Sequence, residues 1–326
     1  MLHINKVIIW GLRDSGHTHS FIHAGFFKAF KHLGYETHWL NSVDEAAEHK
    51  VDIHNAFYIF VDLVGQPNGP FPLPPLHSSC FYFGHHVREE QRQSILNVVP
   101  IENIMWFGLS TLVNVEQYNI SSLYDYDVAT DLLFLNWATD LLPHEIQRNI
   151  ELLDAMPPTE PTIFHVGSMS NGWAAPYVEF MSHMREYGVG FCNFGPGSQF
   201  GLVSDEQNQT LIKRSFAAPA LQFKWQVDVE YIPCRIFKNI SYGKMGITNN
   251  PGVHRLFGEK TLYSSDLKEL AKMTYEFENN PDKNKIIREL MEEVKEKHTY
   301  VSRIEFILNE AKKNKNVKIQ KKLEFK

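Results

Sequence analysis

The first half of the chain alternates short, continuously apolar segments with amphipathic helical ones. Lys6–Gly11 (KVIIWG) is too apolar for a half-exposed strand, and such runs are typical of central strands in parallel sheets. A polar loop follows, then a helix predicted over Phe21–Leu33 and a strand predicted over Glu36–Leu40. This β-loop-α-β order predicts a doubly wound α/β domain. Later strands are predicted at Ala56–Val61, Cys80–Gly84, Ile104–Phe107 and Phe134–Trp137.

The second half starts the same alternation again after a proline-rich segment. Met156–Pro161 (MPPTEP) is predicted to be a linker, because each proline keeps the residue before it out of the helical conformation. The domain boundary is therefore expected near residue 158. Strands are predicted at Thr162–Gly167, Val189–Phe194, Ala220–Phe223 and Met245–Thr248, and helices at Ala175–Tyr187, Ser204–Ser215, Pro233–Tyr242, Val253–Phe257 and Thr299–Lys313.

Composition and charge narrow the classes of function. The 326 residues carry a formal net charge of −6, which argues against a nucleic-acid partner, because a general nucleic-acid binder must offset phosphates. The three cysteines are too widely spaced for a metal pattern or a disulfide framework, so a reducing, cytoplasmic compartment is expected. No run approaches membrane-spanning length. The basic tail Lys312–Lys326 is expected to be a solvated, partly frayed terminus, with weak membrane association as the alternative.

Neither a metal nor a nicotinamide cofactor is predicted from local motifs. Among sixteen histidines, His17 and His19 are two apart and His85 and His86 are adjacent, but no set has a recognised ligand spacing. Glycines after the first strand do not form a GxGxxG motif. We therefore expect no metal and no cofactor of either kind.

The stretch Tyr231–Phe257 combines a short helix, a glycine stop at Gly243, a buried strand and a turn. Strand ends and helix starts on one edge of a parallel sheet are where α/β proteins bind phosphorylated ligands. Arg235 lies in the first turn of its helix, where a cation opposes the helix dipole, so its presence needs another reason. Phosphate binding is one reason, and a salt bridge to Asp228 or Glu230 is the alternative.

Segments of the second half resemble the donor-binding domain of GT-B glycosyltransferases. They are HVGSMSNGW (His165–Trp173), SDEQNQTLIKRS (Ser204–Ser215), IPCRIFKNISYGKMGITN (Ile232–Asn249) and LYSSDLKEL (Leu262–Leu270). The pattern is most similar to CgeB-like spore-maturation proteins and family 4 enzymes, and the first half matches in the order of its elements. The resemblance implies an α/β fold of two Rossmann-like domains facing a cleft. Residues 1–157 would bind the acceptor, 158–298 would bind the nucleotide-sugar donor, and a helix within 299–326 would cross back to the first domain.

The resemblance also implies roles for individual residues of the second half. Retaining members often carry two glutamates, and Glu230 stands at the first of these positions, whereas Lys238 occupies the second. A lysine cannot accept hydrogen bonds from ribose hydroxyls but can contact a phosphate, so inversion and retention both stay open. The expected donor-binding residues are Ser168, Asn171, Gly172, Arg235, Lys238, Asn249, Asn250, Gly252 and Val253.

The acceptor is expected in the first domain, where the loop Arg13–His19 leaves the first strand at its C-terminal end. Asp14 or His17 is of a type suited to the general base that an inverting enzyme needs, and helix capping by Asp14 or Ser15 is the alternative. The candidate catalytic residues are Asp14, His17 and Glu230, and the candidate acceptor-binding residues are His19, His85, His86 and Arg88.

The expected activity is transfer of a hexose-type residue from a nucleotide-diphosphate sugar, UDP- or GDP-linked, to a carbohydrate or glycoconjugate acceptor. Basic side chains would stabilise the diphosphate leaving group without a metal, and the nucleotide sugar would be the only co-substrate. An epimerase or phosphorylase of the same fold is one alternative. A non-catalytic nucleotide-sugar-binding protein is the other.

Overall fold

A computed structural model describes residues 2–66, 69, 71–109, 124–169 and 174–321. The strands are β1 (Leu2–Ile4), β2 (Lys6–Trp10), β3 (Thr37–Leu40), β4 (Ala56–Val61), β5 (Phe81–His85), β6 (Ile104–Leu109), β7 (Asp125–Asp127), β8 (Leu132–Leu135), β9 (Thr162–Val166), β10 (Gly190–Phe194), β11 (Ile247–Thr248), β12 (Leu262–Tyr263) and β13 (Val317–Ile319). The helices are α1 (Thr18–His32), α2 (Val43–Glu48), α3 (Glu89–Leu96), α4 (Pro143–Leu152), α5 (Ala175–Glu186), α6 (Asp205–Arg214), α7 (Lys224–Asp228), α8 (Cys234–Ser241), α9 (Pro251–Leu256), α10 (Leu267–Glu278), α11 (Lys283–Lys297) and α12 (Tyr300–Lys315).

These elements form two compact units. The first comprises the described residues up to 140 and those from Tyr300 onward, and the second comprises the described residues of 141–299. Helix α4 lies before the predicted linker Met156–Pro161 and nevertheless belongs to the second unit. Its apolar face, with Ile146 and Ile150, is buried in the core of that unit. The second unit therefore begins before the prolines rather than after them.

The first unit is built on a seven-stranded sheet of order β3-β2-β4-β5-β6-β8-β7. Neighbouring strands are parallel except for β7, which runs antiparallel to β8. Strands β2, β4 and β5 are buried along their whole length, which explains their continuously apolar sequences. Because β2 lies between β3 and β4, the carboxyl ends of β2 and β4 form a topological switch point, where open α/β sheets bind ligands.

Helix α12 packs within the first unit. The rings of Tyr300 and Phe26 lie 4.8 Å apart, and the Tyr300 ring fills the space that a side chain at Gly25 would need. The buried Arg303 donates from Nε to the carbonyl oxygen of Asn136 at 2.7 Å. Strand β13 then pairs in parallel with β1, so this part of the basic tail is an ordered strand instead of a frayed terminus.

The second unit has its strands in the order β10-β9, then an extended segment 215–221, then β11-β12. The segment is joined to β9 by the Phe216 amide, 2.9 Å from Thr162 O, and to β11 by the Ala220 amide, 2.9 Å from Ile247 O. A strand was predicted at Ala220–Phe223, but these residues are not in a regular strand. Pro219 lacks an N–H group and interrupts the ladder there. Because β9 lies between β10 and this segment, its carboxyl end is the switch point of the second unit.

Among the described residues, no helix combines the length and the apolar character needed to cross a membrane.

Candidate functional site

Arg235 lies at the switch point of the second unit. It belongs to the first turn of α8, and its Nη1 donates to the carbonyl oxygen of Val166, the last residue of β9, at 2.8 Å. This bond fixes one edge of the guanidinium and leaves its other donors available. The carboxyl end of β9 therefore carries a partly buried, fixed cation.

The predicted salt-bridge alternative for Arg235 is wrong. Asp228 pairs with Lys224 one helical turn earlier, at 2.8 Å, and Glu230 pairs with Arg255. Among the residues that the structure describes, Arg235 has no carboxylate partner. A cation that is partly buried without an anion is a suitable partner for an anionic ligand.

Gly167 lies close to the guanidinium of Arg235, and Gly195 lies close to Gly167. A Cβ atom added to Gly167 would lie 2.5 Å from Nη2 of Arg235, so no larger residue fits there without moving the guanidinium. Gly195 follows β10 with a φ of +132°, and a Cβ there would lie 2.8 Å from the carbonyl oxygen of Gly167. Glycine at 195 therefore lets the loops after β9 and β10 approach each other closely, and glycine at 167 leaves room for the guanidinium.

His165 is buried directly before Val166 in β9, with its ring 4.3 Å from that of Tyr177. Burial, and then the charge of Arg235, hold the pKa of His165 well below its ordinary value. His165 is therefore neutral. Of these two residues, only Arg235 carries a positive charge.

Glu230 lies on the other side of the site, in the loop between α7 and α8. Its φ is +53°, a left-handed conformation that costs a non-glycine residue on the order of 1 kcal/mol. Its carboxylate pairs with Arg255 and lies against Gly252, where an added Cβ would be 2.8 Å from Oε2. The structure thus brings Glu230 to the beginning of α9, beside the predicted donor-binding residue Gly252.

The side chains of Asn249 and Asn250 brace this loop. Asn249 accepts from the Gln222 amide at 2.8 Å and donates to the Gln222 carbonyl oxygen at 2.7 Å. The fully buried Asn250 donates to Gln222 Oε1 and to the Tyr231 carbonyl oxygen, and its Oδ1 accepts from the Gly252 amide. Since these groups bond to one another, they hold the loop 222–231 against the end of β11.

Other predicted donor-side residues differ in their exposure. Ser168 is exposed directly after Gly167, and Lys238 is partly buried one turn beyond Arg235 on α8. The Val253 side chain is buried in the core. Asn171 and Gly172 lie outside the described residues. Lys244, a further cation of the same stretch, is buried, and its Nζ donates to the Ser215 carbonyl oxygen at 2.5 Å.

A histidine cluster lies beside the switch point of the first unit, with residues that follow β2 and residues at the end of β5. His19 lies in the first turn of α1, and His85 and His86 lie at the end of β5. The ring of His19 is 5.1 Å from that of His85 and 5.4 Å from that of His86. His17 is the N-cap of α1, where its Nδ1 accepts from the His19 amide at 3.2 Å, so the predicted capping by Asp14 or Ser15 is wrong.

The imidazoles of this cluster are neutral. Burial, and then the neighbouring His86, lower the pKa of His19 to about 3. Burial lowers the pKa of His23 to about 4 and holds the pKa of His85 well below its ordinary value. Burial also lowers the pKa of His86, against the opposing charge of Asp62. Uncharged rings can accept hydrogen bonds or coordinate cations.

Asp14 and Arg88 flank the cluster in the sequence, and each lies near an oppositely charged side chain. Asp14 is exposed with a φ of +60°, and its Oδ2 lies 3.7 Å from Nε of Arg13. Arg88 precedes α3, and its Nε lies 3.6 Å from Oδ2 of Asp62.

Sequence reasoning missed several residues at these two places. In the second unit they are His165, Gly167, Gln222 and Arg255, and in the first unit they are His23, Phe107 and Trp137. For His23 a local signal existed, because it lies one helical turn after His19 in the sequence. The rings of Phe107 and Trp137 stack at 4.3 Å beside His86, a contact between residues far apart in the sequence that no local pattern shows.

Comparison with known structures identifies the fold. An α-glucosyltransferase solved with UDP is similar with a TM-score of 0.51 and 9% identity, covering 92% of this chain and 96% of that one. The same kind of enzyme solved with UDP and a 13-mer DNA containing an HMU base gives a TM-score of 0.50 at 9% identity, over 90% and 95% of the two chains. A glycosyltransferase from Rickettsia africae ESF-5 gives 0.51 at 12% identity, over 95% and 98%.

These similarities show that the chain has the α/β fold of GT-B glycosyltransferases, as the sequence predicted. The identities are too low to carry more than the fold. No protein-family model matches the sequence, and no curated protein does.

Proposed function

We propose that the protein is a glycosyltransferase that uses a nucleotide-diphosphate sugar, with Arg235 binding the diphosphate. The observation that carries the proposal is the position of Arg235, held against the carboxyl end of β9 above Gly167, with no carboxylate partner among the described residues. The GT-B fold and the UDP in two similar structures support a nucleotide donor.

The chemistry follows from the charge that develops on the leaving group. An acceptor oxygen attacks the anomeric carbon, the bond from that carbon to the diphosphate oxygen breaks, and the acceptor proton passes to a base. Arg235 would stabilise the departing diphosphate without a metal, because charge-assisted hydrogen bonds strengthen as negative charge develops. Lys238 and Ser168 are proposed as further phosphate contacts, and Glu230 as a contact to the sugar.

The acceptor side is proposed to involve Asp14 and His17, with Asp14 exposed and His17 at the start of α1. Either can accept a proton, and His17 stays near the neutral cluster formed by His19 and its neighbours. A hexose donor and a carbohydrate or glycoconjugate acceptor are the expected substrates.

Donor binding is the first test. Isothermal calorimetry with UDP and with GDP should give one site for one of the two nucleotides. Arg235→Ala should weaken it about 10- to 100-fold, since a charge-assisted hydrogen bond contributes about 1.5–3 kcal/mol. Arg235→Lys should recover part of the loss. Arg214→Ala is the matched control, because Arg214 pairs with Glu160 on the surface of the same unit. Unchanged affinity in Arg235→Ala would refute the site.

Turnover separates the alternatives. Nucleotide-diphosphate release that depends on an added acceptor supports a transferase, conversion of the donor sugar without release supports an epimerase, and binding without turnover supports a non-catalytic protein. DNA containing an HMU base is included among the acceptors because one similar structure holds it. The net charge of −6 argues against that acceptor.

A further inference from the structure

Three histidines at the end of β5 and the start of α1 are close enough to share one ion. His19, His85 and His86 each offer a ring nitrogen, and these three nitrogens lie within 4.8 Å of one another. His85 is fully buried, His19 is partly buried, and His86 is the most exposed of the three. The cluster is therefore anchored in the protein on one side and open on the side of His86.

The hydrogen bonds of His23 determine which nitrogen of His85 is free. His23 Nδ1 lies 3.3 Å from the carbonyl oxygen of Gly11, which can only accept, so Nδ1 carries the proton of this neutral ring. Its Nε2 must then accept from His85 Nε2, 2.9 Å away. His85 consequently has its proton on Nε2 and a bare lone pair on Nδ1.

That lone pair has no partner. His85 Nδ1 is buried and makes no hydrogen bond, and the same is true of His19 Nδ1. Buried polar atoms are normally paired, because desolvation without a partner costs free energy. The cluster thus contains two ring nitrogens without a partner among the described residues, on His19 and His85. The ring of His85 is also oriented by its hydrogen bond to His23, as metal-binding histidines are commonly oriented by a second residue.

We propose that His19, His85 and His86 bind one divalent transition-metal ion of the zinc type. Imidazole nitrogens suit Zn²⁺ and its neighbours in the series rather than Mg²⁺ or Ca²⁺, which prefer oxygen. Ligands on a tetrahedral zinc lie about 3.3 Å apart at normal bond lengths, so the rings must close by on the order of 1 Å. His85 is held by its hydrogen bond to His23, so this movement would come from His19 and His86. Three ligands leave the fourth position open to water or an acceptor hydroxyl.

The surroundings fit such a site. The Trp137 ring lies 5.2 Å from that of His85 and 5.9 Å from that of His86, and Phe107 stacks on Trp137. These aromatic walls limit water around the ion and keep the histidine rings in place. All of these residues belong to the first unit, so the site is separate from the Arg235 tests and does not rest on the proposed function.

Metal stoichiometry tests the proposal directly. Untagged full-length protein is stripped with a chelator, equilibrated with Zn²⁺, and assayed for bound zinc by elemental analysis and by competition with a chromogenic chelator. Co²⁺ replaces Zn²⁺ in parallel, because intense visible bands report tetrahedral coordination. One ion per chain is expected, with at least about 100-fold weaker binding in His85→Gln and in His86→Ala.

Two controls keep the result interpretable. His54 and His77 have rings 4.5 Å apart on the surface of the same unit. Among the described residues they belong to no group of three possible ligands, so His77→Ala should leave the ion bound. His86→Ala removes an exposed side chain, so its loss of metal does not depend on whether His85→Gln folds. The proposal is overturned if the wild-type protein binds no stoichiometric ion, if both cluster variants retain it, or if His77→Ala loses it equally.

Discussion

Replacing Lys244 with methionine should remove a pH-dependent part of the stability of the second unit. Lys244 is 4% exposed, and its ammonium donates to the Ser215 carbonyl oxygen at 2.5 Å. Burial lowers its pKa from 10.5 to about 8, with Glu278 opposing and Lys283 adding to the shift. The folded protein therefore holds this proton less tightly than the unfolded chain does.

The sign and size of the effect follow from linkage. Between pH 8 and pH 10.5 the unfolded chain binds more protons than the folded protein at this position, so the free energy of unfolding rises with pH. The whole shift corresponds to about 3 kcal/mol, of which about 2 kcal/mol appears between about pH 7.5 and pH 9.5. Methionine has a similar length and no proton to lose, so the stability of the Lys244→Met protein lacks this pH-dependent component.

Urea unfolding followed by circular dichroism at several pH values measures the difference between the two proteins. The upper limit stays below pH 10, because burial raises the pKa of Tyr58 and of Tyr82 and would add an opposite slope above it. Because the chain has two units, urea can unfold it in more than one transition. The transition whose midpoint the substitution shifts is the one to compare. Parallel pH profiles for wild type and Lys244→Met would refute the argument that a charged lysine is buried here.

Three glycine and asparagine substitutions test other contacts. Gly25→Ala should lower the melting temperature by several degrees, because the new methyl group would overlap the Tyr300 ring; an unchanged melt would contradict the packing of α12 on α1. Gly167→Ala should weaken nucleotide binding about tenfold in calorimetry with an unchanged circular dichroism spectrum, because the added Cβ would lie 2.5 Å from Arg235 Nη2; full affinity would count against that cation. Asn250→Ala should cost about 2–3 kcal/mol in urea unfolding, since three hydrogen bonds of a buried amide are lost, and a cost below about 0.5 kcal/mol would show that the loop is held by other contacts.

The central strands of the first unit were predictable because β2, β4 and β5 are buried on both faces and their sequences are continuously apolar. Ala56–Val61 has the same bounds in the sequence prediction and in the structure, and Lys6–Gly11 is longer than β2 by one residue. A central parallel strand needs only apolar side chains, so its sequence carries the signal without knowledge of its neighbours. The strand predicted at Ala220–Phe223 failed because pairing there depends on Pro219 and on a distant partner, Ile247.

The start of the second unit could not be found from local signals. Prolines in Met156–Pro161 restrict the backbone, and the prediction used that restriction as a boundary. The boundary is instead set by α4, whose apolar face packs in the core of the second unit. Two adjacent prolines fix a local conformation, whereas membership of a unit depends on contacts far along the chain.

Arg235 illustrates which features of a site can be predicted from the sequence. Its place in the first turn of α8 was predicted. The sequence left two roles open, which were phosphate binding and a salt bridge to Asp228 or Glu230. Lys224 lies four residues before Asp228 on α7, a spacing at which opposite charges pair, so one competitor could have been assigned locally. The pairing of Glu230 with Arg255 spans 25 residues, and only the folded chain shows it.

The two candidate sites follow from one rule of topology applied twice. In each unit the first strand of the sheet lies between the second and the third, as β2 does between β3 and β4 and β9 does between β10 and 215–221. A loop that leaves such a strand has no neighbouring crossover on one side, so its residues can face a ligand. The segment after β2 that carries His17 and His19 and the Gly167 loop after β9 occupy equivalent positions, although the sequences share no motif. Their chemistry differs because imidazole nitrogens lie at one place and a guanidinium lies at the other. We therefore expect a soft cation at the first and an anionic diphosphate at the second, and variants of one site should leave binding at the other unchanged.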